Sequence, residues 1–345
     1  MEYLDFNDSA AVGEYEAFLS SRRAHFLQST LWAEVKHRWR HEAIISRDSH
    51  GNIRASALVL VKRFPPPFKP FLYCPRGPVC DVTDQESLKD ILQGLEELAG
   101  RYHAYSCKLD PPIDETDSRA VYALRNAGLR FTAWQPDDLT IQCRNNYVLD
   151  IGGRSEEELL ASFKSKCRYN IRLARRKGVT CKVYGRERLP DFQRLMEETK
   201  DRDGFDMRSE SYFARMLDSL GEHCRLYLCE YQGQALSGAI CVQYGGRTTY
   251  LYGASTADHR EVMPNYLMQW EMMRWAVESG CHTYDFGGVP HWYDPDHPNN
   301  GVYRFKTGFN GRLEVYAGEF TQVYAHRYKA AVDRALVWVG YQKLL

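Results

Sequence analysis

At 345 residues the chain has room for about two domains of roughly 100–200 residues each, and either half can bury a core of its own. The 45 basic and 45 acidic residues cancel to a formal charge of zero, which excludes a global field drawing the protein to nucleic acid or anionic lipid; such a partner must be held by a local patch. The ten cysteines show no Cys-x-x-Cys pair or zinc spacing, Met1–Asp5 lacks a basic or apolar run, and no stretch of about twenty apolar residues occurs. Reduced thiols, a cytosolic setting, no secretory signal and no membrane span are therefore expected.

In chain order, Gln28 to Trp39 reads as a helix bracketed by Trp32 and Trp39 and carrying Lys36. Gly51-Asn52 is a turn leading into a strand over 53–61, and Phe71–Cys74 is a second strand. From Asp84 to Tyr102, Leu88, Ile91, Leu92, Leu95 and Leu98 share one helical face, and Ala104–Asp110 is a strand ending in an aspartate. Asp150–Ser155, with Gly152 and Gly153, reads as a hinge; Ser155 with Glu158 three residues on makes a capping box that opens a helix.

Between Lys164 and Lys177 lie Lys164, Lys166, Arg168, Arg172, Arg175, Arg176 and Lys177, with no acidic residue among them. Phe163, Cys167, Ile171 and Ala174 recur at helical spacing, so this is a helix with one buried stripe and cations over the rest. Two readings stand: a footprint for a polyanion, favoured by the lack of interleaved acids, or a solvated helix face. Asp203-Gly204-Phe205 reads as a loop, and Arg208 shares a helix face with Tyr212 if that segment is helical.

Strand, strand, helix, strand then recurs: Gly233–Val242, Tyr250–Gly253, Asn265 to Ser279 with Tyr266, Leu267, Trp270, Met273 and Val277 facing in, and Cys281–Asp285. Two copies of one α/β unit is the economical explanation, chance recurrence the alternative. The prolines at 290, 295 and 298 make the stretch around His291, Asp294, Asp296 and His297 a loop without regular ligand spacing, so no metal is assigned. Gly301–Asn310 places Arg304 and Lys306 among Tyr303, Phe305 and Phe309, between glycines. It reads either as a site for a phosphate-rich or charge-developing substrate or as an aromatic hairpin with surface cations. From Tyr324 to Leu345 runs one amphipathic helix, with Arg327, Lys329, Arg334 and Lys343 opposite Val332, Leu336, Trp338 and Val339. Docking on its own domain is the expected arrangement, lying on a membrane surface the alternative.

The duplicated unit resembles the GNAT (acyl-CoA N-acyltransferase-like) fold. The expected class is therefore mixed α/β: two tandem GNAT-like domains, 1–150 completed by 318–345, and 151–317, with the C-terminal helix packing back on the first. Where such an enzyme grips a pyrophosphate, Thr256–Asn265 contains no glycine, so acetyl-CoA is not the expected donor. No Gly-x-Ser-x-Gly elbow, Walker loop or dinucleotide fingerprint occurs.

Several blocks, in order over nearly the whole chain, resemble the FemABX peptidoglycan-bridge aminoacyltransferases. They are Phe26–Ser29 with Trp32 and Lys36, Pro75–Val79, Phe163–Lys166 with Arg168, Asn170, Ile171 and Arg172, Tyr252–Ser255, Met263–Tyr266, Asp285–Gly288, and Arg304-Phe305-Lys306. The resemblance implies transfer of an amino acid from aminoacyl-tRNA to the stem-peptide amine of a peptidoglycan precursor, either UDP-MurNAc-pentapeptide or lipid II. It implies no cofactor beyond that co-substrate. Position by position, Lys36 and Arg208 resemble residues that hold the acceptor diphosphate, and Tyr105, Tyr212 and Tyr252 resemble tyrosines of the acceptor channel. Asp110 matches an acidic position considered as a base, and Lys306, after Phe305, matches the catalytically important lysine. The basic helix (Lys164, Lys166, Arg168, Arg172, Arg175, Arg176) is the candidate tRNA surface.

The run from Asp191 to Tyr212 lacks sustained heptads, so the long helical arm of some members is expected to be absent. A monomer in the cytoplasm, with peripheral contact at the inner face of the membrane, is the corresponding expectation. The rivals are a transferase of this fold acting on a protein N-terminus or small amine, and a non-catalytic tRNA- or precursor-binding protein.

Overall fold

The structure is a computed structural model that describes residues 1–65, 68–132, 140–203, 207–297 and 300–338. Two compact units emerge, one of residues 1–145 and 314–345, the other of 146–313. The first contains β1 (Glu2–Tyr3), α1 (Ser9–Ser21), α2 (Thr30–Val35), β2 (Arg40–Arg47), β3 (Ile53–Lys62), β4 (Phe71–Cys74), α3 (Gln85–Tyr102), β5 (Ser106–Leu109), α4 (Ser118–Asn126) and β6 (Arg130–Thr132). The second contains β7 (Asn145–Asp150), α5 (Glu156–Ser162), α6 (Ser165–Arg176), β8 (Thr180–Tyr184), α7 (Leu189–Asp203) and α8 (Glu210–Leu220). It continues with β9 (Cys224–Tyr231), β10 (Gln234–Tyr244), β11 (Arg247–Ser255), α9 (Pro264–Glu278), β12 (Thr283–Gly288), α10 (Asn300–Lys306) and β13 (Arg312–Val315). The chain then re-enters the first unit as β14 (Glu319–Val323) and α11 (His326–Trp338).

Each unit holds a seven-stranded sheet, ordered β1-β2-β3-β4-β5-β14-β6 and β13-β7-β12-β11-β10-β9-β8. The duplication is plain in the pairing: β2-β3-β4-β5 and β9-β10-β11-β12 both run antiparallel, antiparallel, parallel. A helix, α3 or α9, fills each parallel crossover, as a parallel pair requires. Asp84 caps α3 through the Glu86 and Ser87 amides, and Leu88, Ile91, Leu95 and Leu98 are buried as the periodicity predicts. Helix α9 is buried nearly all round, adding Met268, Met272, Trp275 and Ala276 to the expected stripe; Tyr266 and Val277 are only half-buried. The capping box at Ser155 and Glu158 forms with both bonds present.

Four expectations change. The stretch 28–39 is not one helix. Ser29 caps a fresh start by accepting from the Trp32 amide, α2 ends at Val35, and Lys36 is its C-terminal cap. Gln28 is instead drawn into the sheet, accepting from the Leu58 amide at 2.8 Å and donating to the Pro75 carbonyl at 2.6 Å. The segment 150–155 is not an inter-domain hinge, because β7 already pairs with β12 in the second sheet and the Ile151 and Gly152 amides donate to the His282 carbonyl. Arg208 lies before α8 rather than on it. Gly301–Asn310 is no hairpin: α10 covers Asn300–Lys306, a short 3-10 turn follows, and Asn310 ends it at φ 58°.

In place of a long arm stand α7 and α8, of 15 and 11 residues. Helix α11 docks on the first unit, with Tyr328 against Tyr105 (ring centroids 5.2 Å) and its hydroxyl accepting from the Lys69 amide. Lys343 and Val339, the side chains of Leu336 and Trp338, and residues 204 and 205 of the expected loop lie outside the described residues, while Asp203 ends α7. All ten cysteines are free. No described helix is long and apolar enough to cross a membrane.

Candidate active site

In the second unit, β11 and β12 pair only over Arg247↔Thr283, Thr248↔Tyr284 and Thr249↔Asp285. Beyond that point β11 continues beside β10 to Ser255, while β12 stays with β7 up to Gly288↔Asn146. The two strands part, and a cavity of about 750 Å³ opens there, lined among others by Tyr250, Gly253, Tyr266, Phe305 and Lys306 and by Pro264 at the start of α9. Gly253 is required for this shape, because a Cβ at that position would lie 1.6 Å from the Tyr250 hydroxyl. Met263 takes φ 57° to begin α9, and Pro264 brings no N–H to the helix start. The helix end is thus a poor phosphate cradle, as its glycine-free sequence indicates.

The Asp285-Phe286-Gly287-Gly288 run sets the position of Lys306. Asp285 is held by Arg247 at 2.9 Å and accepts from the Gly287 amide at 2.7 Å. Gly287 turns at φ 74°, where a side chain is strained. Its carbonyl and that of Gly288 then accept from the Lys306 ammonium at 3.2 and 2.7 Å. Lys306 lines the cavity yet is only 5% exposed. Phe305 packs edge-on against Tyr266 (4.9 Å), and Asn170 of α6 is buried.

Helix α6 begins on the same segment: the Lys164 amide donates to the Gly308 carbonyl, and Phe163 packs on Phe309 at 5.2 Å. Cys167, Asn170, Ile171 and Ala174 face inward. The cations divide into two groups. Arg168 turns back to the Phe163 and Ala161 carbonyls, and Arg175 pairs with Glu271 of α9 at 2.7 Å, an acid that the sequence within α6 could not reveal. Lys164, Lys166, Arg172 and Lys177 are exposed and have no ion-pair partner among the described residues. Arg176, also exposed, lies over the Tyr169 ring at 5.7 Å.

Arg208, Tyr212 and Tyr252 form a second cluster in this unit. Arg208 sits over the Tyr212 ring at 5.5 Å, and Tyr212 meets Tyr252 edge-on at 6.4 Å. Burial, then the neighbouring Tyr252, pushes the Tyr212 phenol up. Tyr250 and Tyr252 would share a face under simple alternation. The register shift between Ile240 and Cys241 puts them on opposite faces instead, so Tyr252 is not beside Tyr250 and Lys306. That bulge left no mark in the sequence, and Tyr250, Tyr266 and Asp285 were missed as parts of the site. The Tyr250-Leu251-Tyr252-Gly253 run and the Asp285-Phe286-Gly287-Gly288 turn are the signals that point to Tyr250 and Asp285.

In the first unit, Lys36 lies over the Trp32 ring at 4.8 Å. Tyr105 is 2% exposed and packs between Phe71 and Tyr328. It stands at one end of β5 and Asp110 at the other, so the strand separates them by roughly 16 Å. Asp110 accepts from the Tyr73 hydroxyl at 2.8 Å and the Arg76 amide at 2.6 Å. Burial raises its carboxyl to about 6, against the lowering effect of the Arg76 charge and these bonds. No metal-binding group occurs among the described residues.

The FemAB family profile matches residues 11–235 and 230–336. The lipid II:glycine glycyltransferase of Staphylococcus aureus (strain MRSA252) is 29% identical, with 90% of this chain and 91% of that protein aligned; that of Staphylococcus haemolyticus is equally similar. These alignments run over 386 positions, more than this chain has residues, so the relatives carry segments without counterpart here. The crystal structure of FemX superposes with a TM-score of 0.87 at 27% identity, covering 96% of this chain and all of that one. A tandem GNAT protein from the clavulanic acid biosynthesis pathway, 11% identical over 93% of this chain and 98% of its own, shares the fold with a TM-score of 0.56.

Proposed function

The chain belongs to the FemAB family and is an aminoacyltransferase; from that premise we propose that it transfers an amino acid from aminoacyl-tRNA to the stem-peptide amine of a peptidoglycan precursor, building the interpeptide bridge. The observation that carries this reading is the junction of α6 with the Lys306 segment. A helix bearing unneutralised cations, suited to phosphates, adjoins the wall of the cavity that holds a buried lysine. The precursor's amine attacks the activated ester of the charged tRNA, so neither a nucleophilic side chain nor a cofactor is called for. Lys306 supplies fixed positive charge where the ester oxygen gains negative charge. Asp110, with its raised carboxyl, is the candidate acceptor for the ammonium proton. Lys36 and Arg208 are each candidate cations for the acceptor diphosphate.

The relatives' name favours lipid II as acceptor, while the shorter chain keeps UDP-MurNAc-pentapeptide as the second choice. Incubation with a mixed pool of aminoacyl-tRNAs and each acceptor tests the reading. Amino acid appearing on the stem peptide supports it. Transfer only to other amines, or binding of both substrates without turnover, overturns it.

A further inference from the structure

Tyr169 belongs neither to the core nor to the cavity. It is 55% exposed, one of few large apolar side chains on the surface of the described residues, and it stands in the middle of α6. Lys166 and Arg172 flank it at three residues on either side, and the Arg176 guanidinium lies over its ring at 5.7 Å. A tyrosine buries apolar surface when it can, and this one is left out although α6 has an inward stripe only one position away at Asn170.

We infer that Tyr169 is a stacking platform for an unpaired base of RNA, with Lys166, Arg172 and Arg176 holding the flanking phosphates. An aromatic face framed by unneutralised cations is the chemistry by which proteins bind unpaired nucleotides, since every base offers a π-face and every linkage a charge. An anionic membrane fits less well: the apolar stripe of α6 is turned inward, and a single tyrosine is too small an apolar face to anchor a helix. Because α6 starts on the segment that carries Lys306, a strand of RNA lying along it runs toward the cavity. The inference rests on the donor reading above, to which it adds the residue that reads unpaired RNA.

The test measures binding of uncharged tRNA by fluorescence anisotropy at several salt concentrations, without acceptor. Two hairpin RNAs accompany it, one with an unpaired 3′ overhang and one blunt-ended. Tyr169→Ala should weaken binding of tRNA and of the overhang hairpin by about tenfold, with the salt slope unchanged and the blunt hairpin unaffected. Tyr169→Phe should bind as wild type. Lys166→Ala, by contrast, should weaken all three RNAs and lower the salt slope by about one. Unchanged binding by Tyr169→Ala, or equal loss for blunt and overhang RNA, overturns the inference while leaving the donor reading intact. Tyr169-dependent RNA binding without aminoacyl-tRNA-dependent transfer sinks the donor reading and keeps the inference. If wild type binds no RNA, both fall. If Tyr169→Ala releases the protein from phosphatidylglycerol vesicles but not from RNA, the surface belongs to a membrane and the inference is wrong.

Discussion

Lys306, on α10, is bound to the end of β12 before any substrate arrives. The Gly287 and Gly288 carbonyls fix the ammonium, so it is preorganised, and its removal also leaves those carbonyls short of a donor. Lys306→Ala should therefore slow single-turnover transfer by about a hundred- to a thousandfold, change acceptor half-saturation little, and lower the melting temperature as well. Lys306→Arg should recover little, because a planar fork cannot replace a point charge between two carbonyls. Near-normal transfer by the alanine variant would leave Lys306 as a staple of the strand end. Asp110 makes a different prediction. Its carboxyl stays protonated up to about pH 6 in the folded protein but only to about 4 when unfolded. Between those values the folded state binds more protons, so this group's contribution is fully present below pH 4 and is lost as pH rises through 6. That loss is on the order of 3 kcal/mol. Urea unfolding of Asp110→Asn from pH 4 to 7 should show a flatter decline than wild type; parallel curves would contradict the assignment.

At the scale of elements, α6 shows how a helix read as uniformly basic becomes two things once folded. Arg175 is neutralised by Glu271, whereas Lys166 and Arg172 are not. Lys166→Glu with Arg172→Glu should raise the tRNA concentration needed for half-maximal transfer, leave the acceptor requirement alone, and barely shift the melting temperature. Arg175→Glu should behave oppositely, placing like charge beside Glu271 and lowering stability, with a smaller effect on tRNA use. Equal losses for both substrates in the double variant would make α6 a structural element only. The helices and strands of both copies were legible because their apolar periodicity and caps are local. The bulge that separates Tyr250 from Tyr252 was not, since it depends on how β10 and β11 register across the sheet. The α10 helix was missed for a related reason. Its glycines and aromatics fit a hairpin locally, and what favours the helix is Asn300 reaching back to the His291 and Trp292 carbonyls and Lys306 reaching β12.

For the whole molecule, the chain leaves the first unit after β6 and returns as β14, which lies between β5 and β6 and pairs with both. Phe320 of β14 is fully buried and stacks on Phe131 at 4.8 Å. Removing residues 319–345 should therefore expose the inner edge of β5 and prevent the first unit from folding, although the cut lies far along the chain from its other strands. Soluble expression and circular dichroism of the truncated protein provide the check, and a native-like melt would contradict it. By itself the sequence determined the repeated strand-strand-helix-strand unit, the α/β class, the buried stripes and the lysine motif, all of which rest on periodicity and short-range chemistry. Tertiary structure alone decided that β7 belongs to the second sheet, that Glu271 neutralises Arg175, that Asp110 is buried beside Arg76, and that two carbonyls hold Lys306. Each of these is a meeting of residues far apart in the chain, and pairing energies of that kind depend on distance and burial that no local pattern encodes.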